Sequence, residues 1–74
     1  MTYAVLIEEG PTSFGATVPD LPGCFAVGRT PEEVARLIEE AITEHLAVLE
    51  ARGEAAPPAT TRVATVTVGT HSEP

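Results

Sequence analysis

The sequence predicts an α+β domain whose elements follow the order β-β-β-α-β: a three-stranded antiparallel meander, one amphipathic helix and a fourth strand parallel to the first. Three observations predict this class. Short segments rich in β-branched and aromatic residues fill the first thirty positions, a long segment with apolar residues three and four apart follows, and an alternating valine segment comes last. The 74 residues are expected to form one domain over 1–74, without a C-terminal DNA-binding domain.

The first strand is predicted over about residues 2–8, a short apolar segment that ends at turn residues. Its apolar side chains lie on both faces: Tyr3, Val5 and Ile7 on one, Ala4 and Leu6 on the other. A strand that is apolar on both faces is usually covered on both. Because one helix covers only one face of a small sheet, we expect a second subunit to cover the other.

The second and third strands are predicted over about residues 14–18 and 25–29. The connection between the first two strands is short enough for a hairpin, so these strands should pair antiparallel. The loop before the third strand is rich in turn residues, and Pro22-Gly23 within it combines a fixed φ with access to positive φ. Asp20 is expected to accept hydrogen bonds from the backbone amides that follow it in this loop.

The helix is predicted over about residues 31–52. Thr30 is the expected N-cap, Pro31 takes the first helical position, and Glu33 takes the third. Gly53 is expected just past the end, where a left-handed residue closes a helix. Apolar residues recur along one side of the helix, and the acids occupy the opposite side.

The fourth strand is predicted over about residues 62–68, where valines alternate with smaller or polar residues. A connector that contains Pro57-Pro58 separates it from the helix. Such a connection is long enough to cross the sheet, so the strand is expected to lie parallel to the first. Residues from Gly69 onward, including His71, are expected to form a frayed tail.

The charge balance argues against nucleic acid as a direct partner. Eleven acids against four arginines and no lysine give a net charge of −7 and a pI of about 4.5, whereas nucleic-acid binding depends on Lys and Arg at phosphates. No apolar run approaches the roughly 20 residues of a membrane span, and no signal peptide opens the chain. We therefore expect a cytoplasmic protein without a membrane role. A composition without Asn, Gln or Lys suits either a heat-adapted source or a GC-rich genome.

Acidic residues offer one catalytic hypothesis, a two-metal nuclease site. The predicted meander, helix and strand are similar to the start of the ribonuclease H fold, in which carboxylates bridge two Mg²⁺ ions. Here Glu8 and Glu9 are expected only at the exit of the first strand, and the last strand has no acid. Glu39 and Glu40 lie opposite the buried side of the helix. The pattern favours solvated charges, and no metal or cofactor is predicted.

Cys24 and His45 are expected to be structural. A nucleophilic cysteine needs a histidine base beside it, and the sequence places none near Cys24. His45 falls near the middle of the apolar side of the helix, and neither Cys24 nor His71 stands at a metal-ligand spacing from it. The pattern favours a packed histidine that donates a hydrogen bond, or one at a subunit interface.

The loop and the helix start carry a family resemblance. Residues 19–24 (Pro-Asp-Leu-Pro-Gly-Cys) and 28–33 (Gly-Arg-Thr-Pro-Glu-Glu) closely resemble the P-D-L-P-G-C and G-x-T-x-x-E-A segments of the HicB-like antitoxin family. The opening strand and the end of the helix also resemble this family, so that the likeness covers about residues 3–68. Val34 stands beside Ala35 where the family often has Glu-Ala.

This resemblance implies a partial ribonuclease H-like fold without the nuclease site, and an antitoxin rather than an enzyme. Family members typically neutralise HicA toxins, small basic RNA-cleaving proteins, by covering them. An acidic protein suits such a partner because opposite charges steer association. The acids that we predict at the partner surface are Glu8, Glu9, Asp20, Glu32, Glu39 and Glu40. The candidates for a structural or interface role are Tyr3, Pro22, Gly23, Cys24 and His45.

Two other functions stay open on the sequence alone: a divergent ribonuclease H-like, metal-dependent nuclease, and an orphan oligomeric relative without a toxin. A nuclease would cleave RNA with Mg²⁺ or Mn²⁺ and would depend on Glu8, Glu9 or Asp20. In every case the small core and the two-faced first strand predict a homo-oligomer, either a dimer or a tetramer.

Overall fold

The computed structural model describes residues 1–69, which form one three-stranded sheet with one helix packed on one face. The elements in chain order are β1 (Leu6–Glu9), β2 (Phe14–Thr17), β3 (Phe25–Gly28) and α1 (Pro31–Ala51). The sheet has the order β1-β2-β3, and both pairs are antiparallel. The predicted α+β class, the antiparallel meander and the single helix are therefore confirmed.

The strand register divides the sheet into a covered face and an open face. Ile7, Ala16 and Ala26 form one cross-strand row on the face under the helix. Leu6, Thr17 and Phe25 form the next row, on the open face. β1 begins at Leu6 rather than near residue 2, because β2 ends at Thr17 and offers no ladder partner to earlier residues.

The core lies between the covered face and the helix, and a loop residue is part of it. Leu21 and Val34 are both fully buried. The other buried apolar residues are Ala16, Val18, Cys24 and Ile38. The loop is folded by its own backbone, since Leu21 N–H donates to Val18 O and Cys24 N–H donates to Leu21 O, both at 3.0 Å. The loop over residues 19–24 thus closes one end of the core.

Both helix ends follow the predicted caps. Thr30 Oγ1 accepts a hydrogen bond from Glu33 N at 3.0 Å, and Glu33 Oε1 accepts one from Arg29 N at 2.6 Å. At the other end Gly53 has a φ of 72°, and its N–H donates to Glu50 O at 3.0 Å. Only glycine adopts this left-handed conformation without strain, which is why the helix ends where it does.

Two further glycines are required by backbone geometry. Gly23 has a φ of 85°, as expected for the Pro22-Gly23 turn. Gly28 ends β3 where the strand meets the helix, and a Cβ there would stand 2.8 Å from Val34 N. The helix therefore packs directly on β3, and less of it lies over β2 and least over β1.

The predicted fourth strand is wrong for the single chain: residues 62–68 belong to no strand in the described part of the structure. Val63, Val66 and Val68 are 71–80% exposed. The radius of gyration is 15.7 Å, against about 11 Å for a compact chain of this length. The chain leaves the helix through residues 54–61, which we call the connector, and residues 62–69 then extend away from the body as a C-terminal arm.

Candidate functional site

The outer side of α1 carries an exposed row of carboxylates. We call this surface the acidic helix face, and its members are Glu32, Glu39, Glu40, Glu44 and Glu50. Arg36, the only Arg or Lys of α1, lies among them and pairs with Glu40 at 3.1 Å, with both side chains 60% exposed. An exposed pair at this helical spacing contributes about 0.3–0.5 kcal/mol. The surface keeps a net negative charge and is open to a partner.

The six acids predicted at a partner surface do not form one cluster. Glu32, Glu39 and Glu40 share the acidic helix face. Glu8 lies within β1 on the open face of the sheet, which is the opposite layer of the molecule. Glu9 ends β1 rather than following it, so both acids that we expected at the exit of the first strand are part of that strand.

Asp20 holds the connector rather than its own loop. Its Oδ2 accepts from Thr60 N at 3.0 Å and from Thr61 N at 2.9 Å, and its Oδ1 accepts from both hydroxyls at 3.1 and 2.8 Å. The expectation that Asp20 bonds to the amides after it was wrong, because the turn satisfies those amides with backbone carbonyls. We call this contact the Asp20 clamp.

The clamp also changes the acidity of its carboxyl group. Hydrogen bonds from the backbone and hydroxyl of Thr61, followed by those from Thr60, hold the pKa of Asp20 below its ordinary value of 3.8. Four donors therefore favour the ionised form of the side chain. A second contact holds the connector three residues before Thr60, where the Tyr3 hydroxyl donates a hydrogen bond to Pro57 O. Tyr3 and Asp20 together fix the path of the connector.

Cys24 and His45 both line a groove of about 320 Å³ beside β3. Cys24 is a free, buried cysteine, and burial raises the pKa of its thiol, so the thiolate is disfavoured. His45 is half-buried on the side of α1 that packs toward this groove. The groove is also lined by apolar side chains and by two charged ones: Phe25, Ala41, Val48, Leu49, Glu44 and Arg52. The structural role expected of Cys24 and His45 stays a prediction.

A second groove runs between β1 and the helix. We call it the β1 groove, and it has a volume of about 450 Å³. Apolar side chains from the start of the chain and from α1 line it: Tyr3, Val5, Ile7, Ile38, Ile42 and Leu46. Glu39 is its only charged lining residue in the described part of the chain. The groove continues the core outward past β1 without a side chain to fill it.

The open face of the sheet also carries exposed apolar side chains, beside Glu8. Leu6, Phe25 and Val27 are 51%, 65% and 58% exposed there. Gly15 lies between Glu8 and Val27 in the register and adds no side chain to this face. In β1 Leu6 and Glu8 lie on this open face and Ile7 lies on the face under the helix, so the helix covers only one side of the strand.

Neither a metal site nor a membrane span is found in the part of the chain that the structure describes. Residues 1–69 contain no group of three or more His, Cys, Asp and Glu side chains that could hold a metal ion. No helix within the same residues combines the length and the hydropathy needed to cross a membrane. His71, which does not stand at a metal-ligand spacing from His45 in the sequence, lies outside the described residues.

Sequence reasoning missed three residues that organise the loop and the connector. Leu21 stands between prolines and turn residues, so its composition indicated a surface loop, although it is fully buried. Its apolar side chain amid polar turn residues was the available signal. Thr60 and Thr61 carry no local signal for the clamp, because their partner Asp20 is forty residues away.

Comparison with known proteins finds one family model and two similar proteins. A family model described as the HicB-like antitoxin of a bacterial toxin–antitoxin system matches residues 3–71. The chain is 36% identical over 58 residues to a UPF0150 protein of Thermoplasma acidophilum, covering 77% of this chain and 84% of that protein. It is 39% identical over 46 residues to a 14.9 kDa protein from the rep–hol intergenic region of Haemophilus phage HP1.

That second match covers 62% of this chain and 35% of the phage protein, so the shared segment is about a third of the longer relative. No solved structure matches the chain significantly. The family model covers nearly the whole chain, including the loop, the helix and the connector described above. The chain therefore belongs to the HicB-like antitoxin family of bacterial toxin–antitoxin systems.

Proposed function

We propose that this protein is an antitoxin that neutralises a small, basic, RNA-cleaving toxin of the HicA type by covering its surface in the cytoplasm. The observation that carries the proposal is the acidic helix face, five exposed carboxylates along one side of α1. A protein that cleaves RNA presents cationic side chains to phosphates. A row of carboxylates on a rigid helix is complementary to such a surface.

Charge complementarity supports fast capture of the toxin. The net charge of −7 makes long-range attraction to a basic protein strong at low ionic strength. The exposed carboxylates of the acidic helix face are held on a capped helix, so they are ordered before the partner arrives. Steering of this kind acts mainly on the association rate and weakens as salt screens the charges.

The test measures the binding of this protein to the small basic protein that the neighbouring gene encodes. The double variant Glu39→Gln with Glu40→Gln should lower the association rate constant about tenfold at low salt, measured by surface plasmon resonance. The matched control Glu8→Gln with Glu9→Gln removes the same charge from β1 and should have a smaller effect. The absence of any complex between the two wild-type proteins would overturn the proposal, and equal effects of both variants would overturn the assignment to the helix.

An RNA assay separates this role from nuclease activity. The purified protein alone should leave RNA intact with Mg²⁺ or Mn²⁺, and it should protect RNA when added to the toxin in equal amounts. Cleavage by this protein itself, lost on changing Glu8 or Asp20, would replace the antitoxin proposal with an enzyme.

We also propose that the protein is a homo-oligomer, a dimer or a tetramer, with a four-stranded, partial ribonuclease H-like sheet in each unit. Two apolar surfaces support this: the β1 groove and the open face with Leu6, Phe25 and Val27. Exposed apolar patches of this kind commonly mark interaction sites. Sedimentation velocity of the wild-type protein tests it, since a strict monomer would contradict it.

A further inference from the structure

The C-terminal arm has the residue pattern of a β-strand, but it pairs with no strand in the described part of the structure. After Arg62, the residues Ala64, Val66 and Val68 follow on one side of the arm, and Val63, Thr65 and Thr67 lie on the other. All residues of the arm that the structure describes are exposed. An extended segment whose valines and alanine from residue 64 onward fall on one side is typical of a half-buried β-strand, and no strand lies beside the described arm.

The Asp20 clamp directs the arm away from the body of its own chain. Thr60 and Thr61 are both held at the loop between β2 and β3, and the arm begins at the next residue. The free edge of β1 lies on the other side of β2 in the sheet. The longest dimension of the described chain reaches 59 Å, which shows that the arm projects from the body rather than folding back on it.

The feature that matches the arm is the free edge of β1 with its groove. β1 pairs only with β2 among the described strands, so alternate backbone groups of its outer edge have no strand partner. The extended chain from Tyr3 to Glu9 and the arm from residue 62 to 68 each span seven residues, or about 23 Å. The apolar side of such a strand would lie over the β1 groove.

We propose that the C-terminal arm of one copy pairs with the outer edge of β1 in a second copy and places Ala64, Val66 and Val68 over its β1 groove. Reciprocal exchange of two arms then closes a two-fold dimer. Each sheet gains a fourth strand, in the position that the sequence predicts but from the other chain.

Charge favours a second copy of this chain as the occupant. Two chains of charge −7 repel each other, so a stable contact must use surfaces with little negative charge. Arg62 is the only charged residue of the arm over residues 62–69, and Glu39 is the only charged residue that lines the β1 groove. Each of the two surfaces thus carries a single charged side chain, and the two charges have opposite signs.

The first test compares two neighbouring residues of the arm by sedimentation equilibrium. Val66→Asp places a carboxylate on the apolar side and should raise the dimer dissociation constant about a hundredfold or more. Thr65→Asp makes a similar change on the other side and should leave most of the dimer. Both positions are exposed in the single chain, so neither variant should change its folding. A monomeric wild type, or a dimer that both variants leave intact, would overturn the proposal.

The second test locates the docking site with a matched pair on α1. Ala35 is exposed and lines the β1 groove, whereas Ala47 is exposed and lies outside the lining of that groove. Ala35→Glu should weaken the dimer as Val66→Asp does, and Ala47→Glu should not. An unaffected Ala35→Glu dimer would overturn the β1 groove as the docking site and leave the open face as the dimer surface.

These outcomes can be separated from the antitoxin proposal, because neither Val66 nor Ala35 belongs to the acidic helix face. A monomeric Val66→Asp protein that still binds the toxin supports the exchange of arms and leaves the antitoxin role intact. The wild-type protein could also form a dimer that responds to Val66→Asp and Ala35→Glu as expected but does not bind the toxin. That result would support the exchange of arms and overturn the antitoxin proposal.

Discussion

The two edges of the sheet are packed very differently. At the β3 edge the helix backbone comes so close that a Cβ on Gly28 would stand 2.8 Å from Val34 N, and Val34 is fully buried there. At the β1 edge the helix and the strand are separated by the apolar β1 groove, and Ile7 remains 45% exposed.

Chain connectivity explains this asymmetry. Only Arg29 and Thr30 connect β3 to α1, so the helix must start over β3. β1 lies two strand spacings, or about 10 Å, from β3, and a helix is only about 10–12 Å wide. One helix held over β3 can therefore cover β2 but not β1. The second edge of this small sheet requires another element.

Leu21→Ala should give the largest loss of stability on the tightly packed side. Removing three carbons from a fully buried position should lower the free energy of unfolding by about 2–5 kcal/mol. Ile7→Ala, which removes the same number of carbons at the β1 edge, should cost about 1 kcal/mol because that side chain is half exposed. Urea unfolding measures both, in the Val66→Asp background so that dimerisation does not contribute. Equal losses of unfolding free energy in the two variants would contradict the difference in packing between the two edges.

Gly28→Ala should give the next largest effect. The added methyl group meets the backbone of Val34, which cannot move without shifting the helix start, so we expect a loss of about 1–3 kcal/mol. Gly15→Ala is the control, because a Cβ at Gly15 meets no heavy atom within 4 Å. Thermal unfolding followed by circular dichroism compares the two variants, and an unchanged melting temperature for Gly28→Ala would show that the helix start is not packed as described.

The Asp20 clamp should give the smallest effect on global stability but a clear local one. Its pKa is lowered on folding, so the contribution of the clamp is fully present above the ordinary value of 3.8 and is lost as pH falls through the lowered pKa. Amide hydrogen exchange at Thr60 and Thr61 should therefore become faster relative to the helix amides below that pH.

Asp20→Asn tests the charge of the clamp with nearly the same shape. Its amide retains one acceptor oxygen, so exchange at Thr60 and Thr61 should be faster than in the wild type at neutral pH and should lose most of its pH response. An unchanged, pH-independent protection of both amides in the wild type would show that Asp20 does not hold the connector.

Local sequence patterns predicted the elements whose partners are close in the chain. Thr30, Glu33 and Gly53 mark the helix ends because capping hydrogen bonds join residues three to five apart. Pro22-Gly23 marks its turn for the same reason. The candidate site was predicted in part: the acids of the helix share one face because a helix has a fixed period, whereas Glu8 and Asp20 depended on where their strand and loop pack.

The sequence by itself determined the three strands, the helix with both caps, the acidic outer side of that helix and membership of the HicB-like antitoxin family. Local hydrogen bonding and the helical and strand periods decide the strands, the helix and its acidic side, whereas similarity to the family model shows the family. Only the tertiary structure decided that Leu21 fills the core, that Asp20 holds residues forty positions away, and that the valines of the last segment remain exposed. A strand pattern specifies that a segment needs a neighbour, but the neighbour is set by the path of the connector and by the edge of the sheet that the helix leaves uncovered.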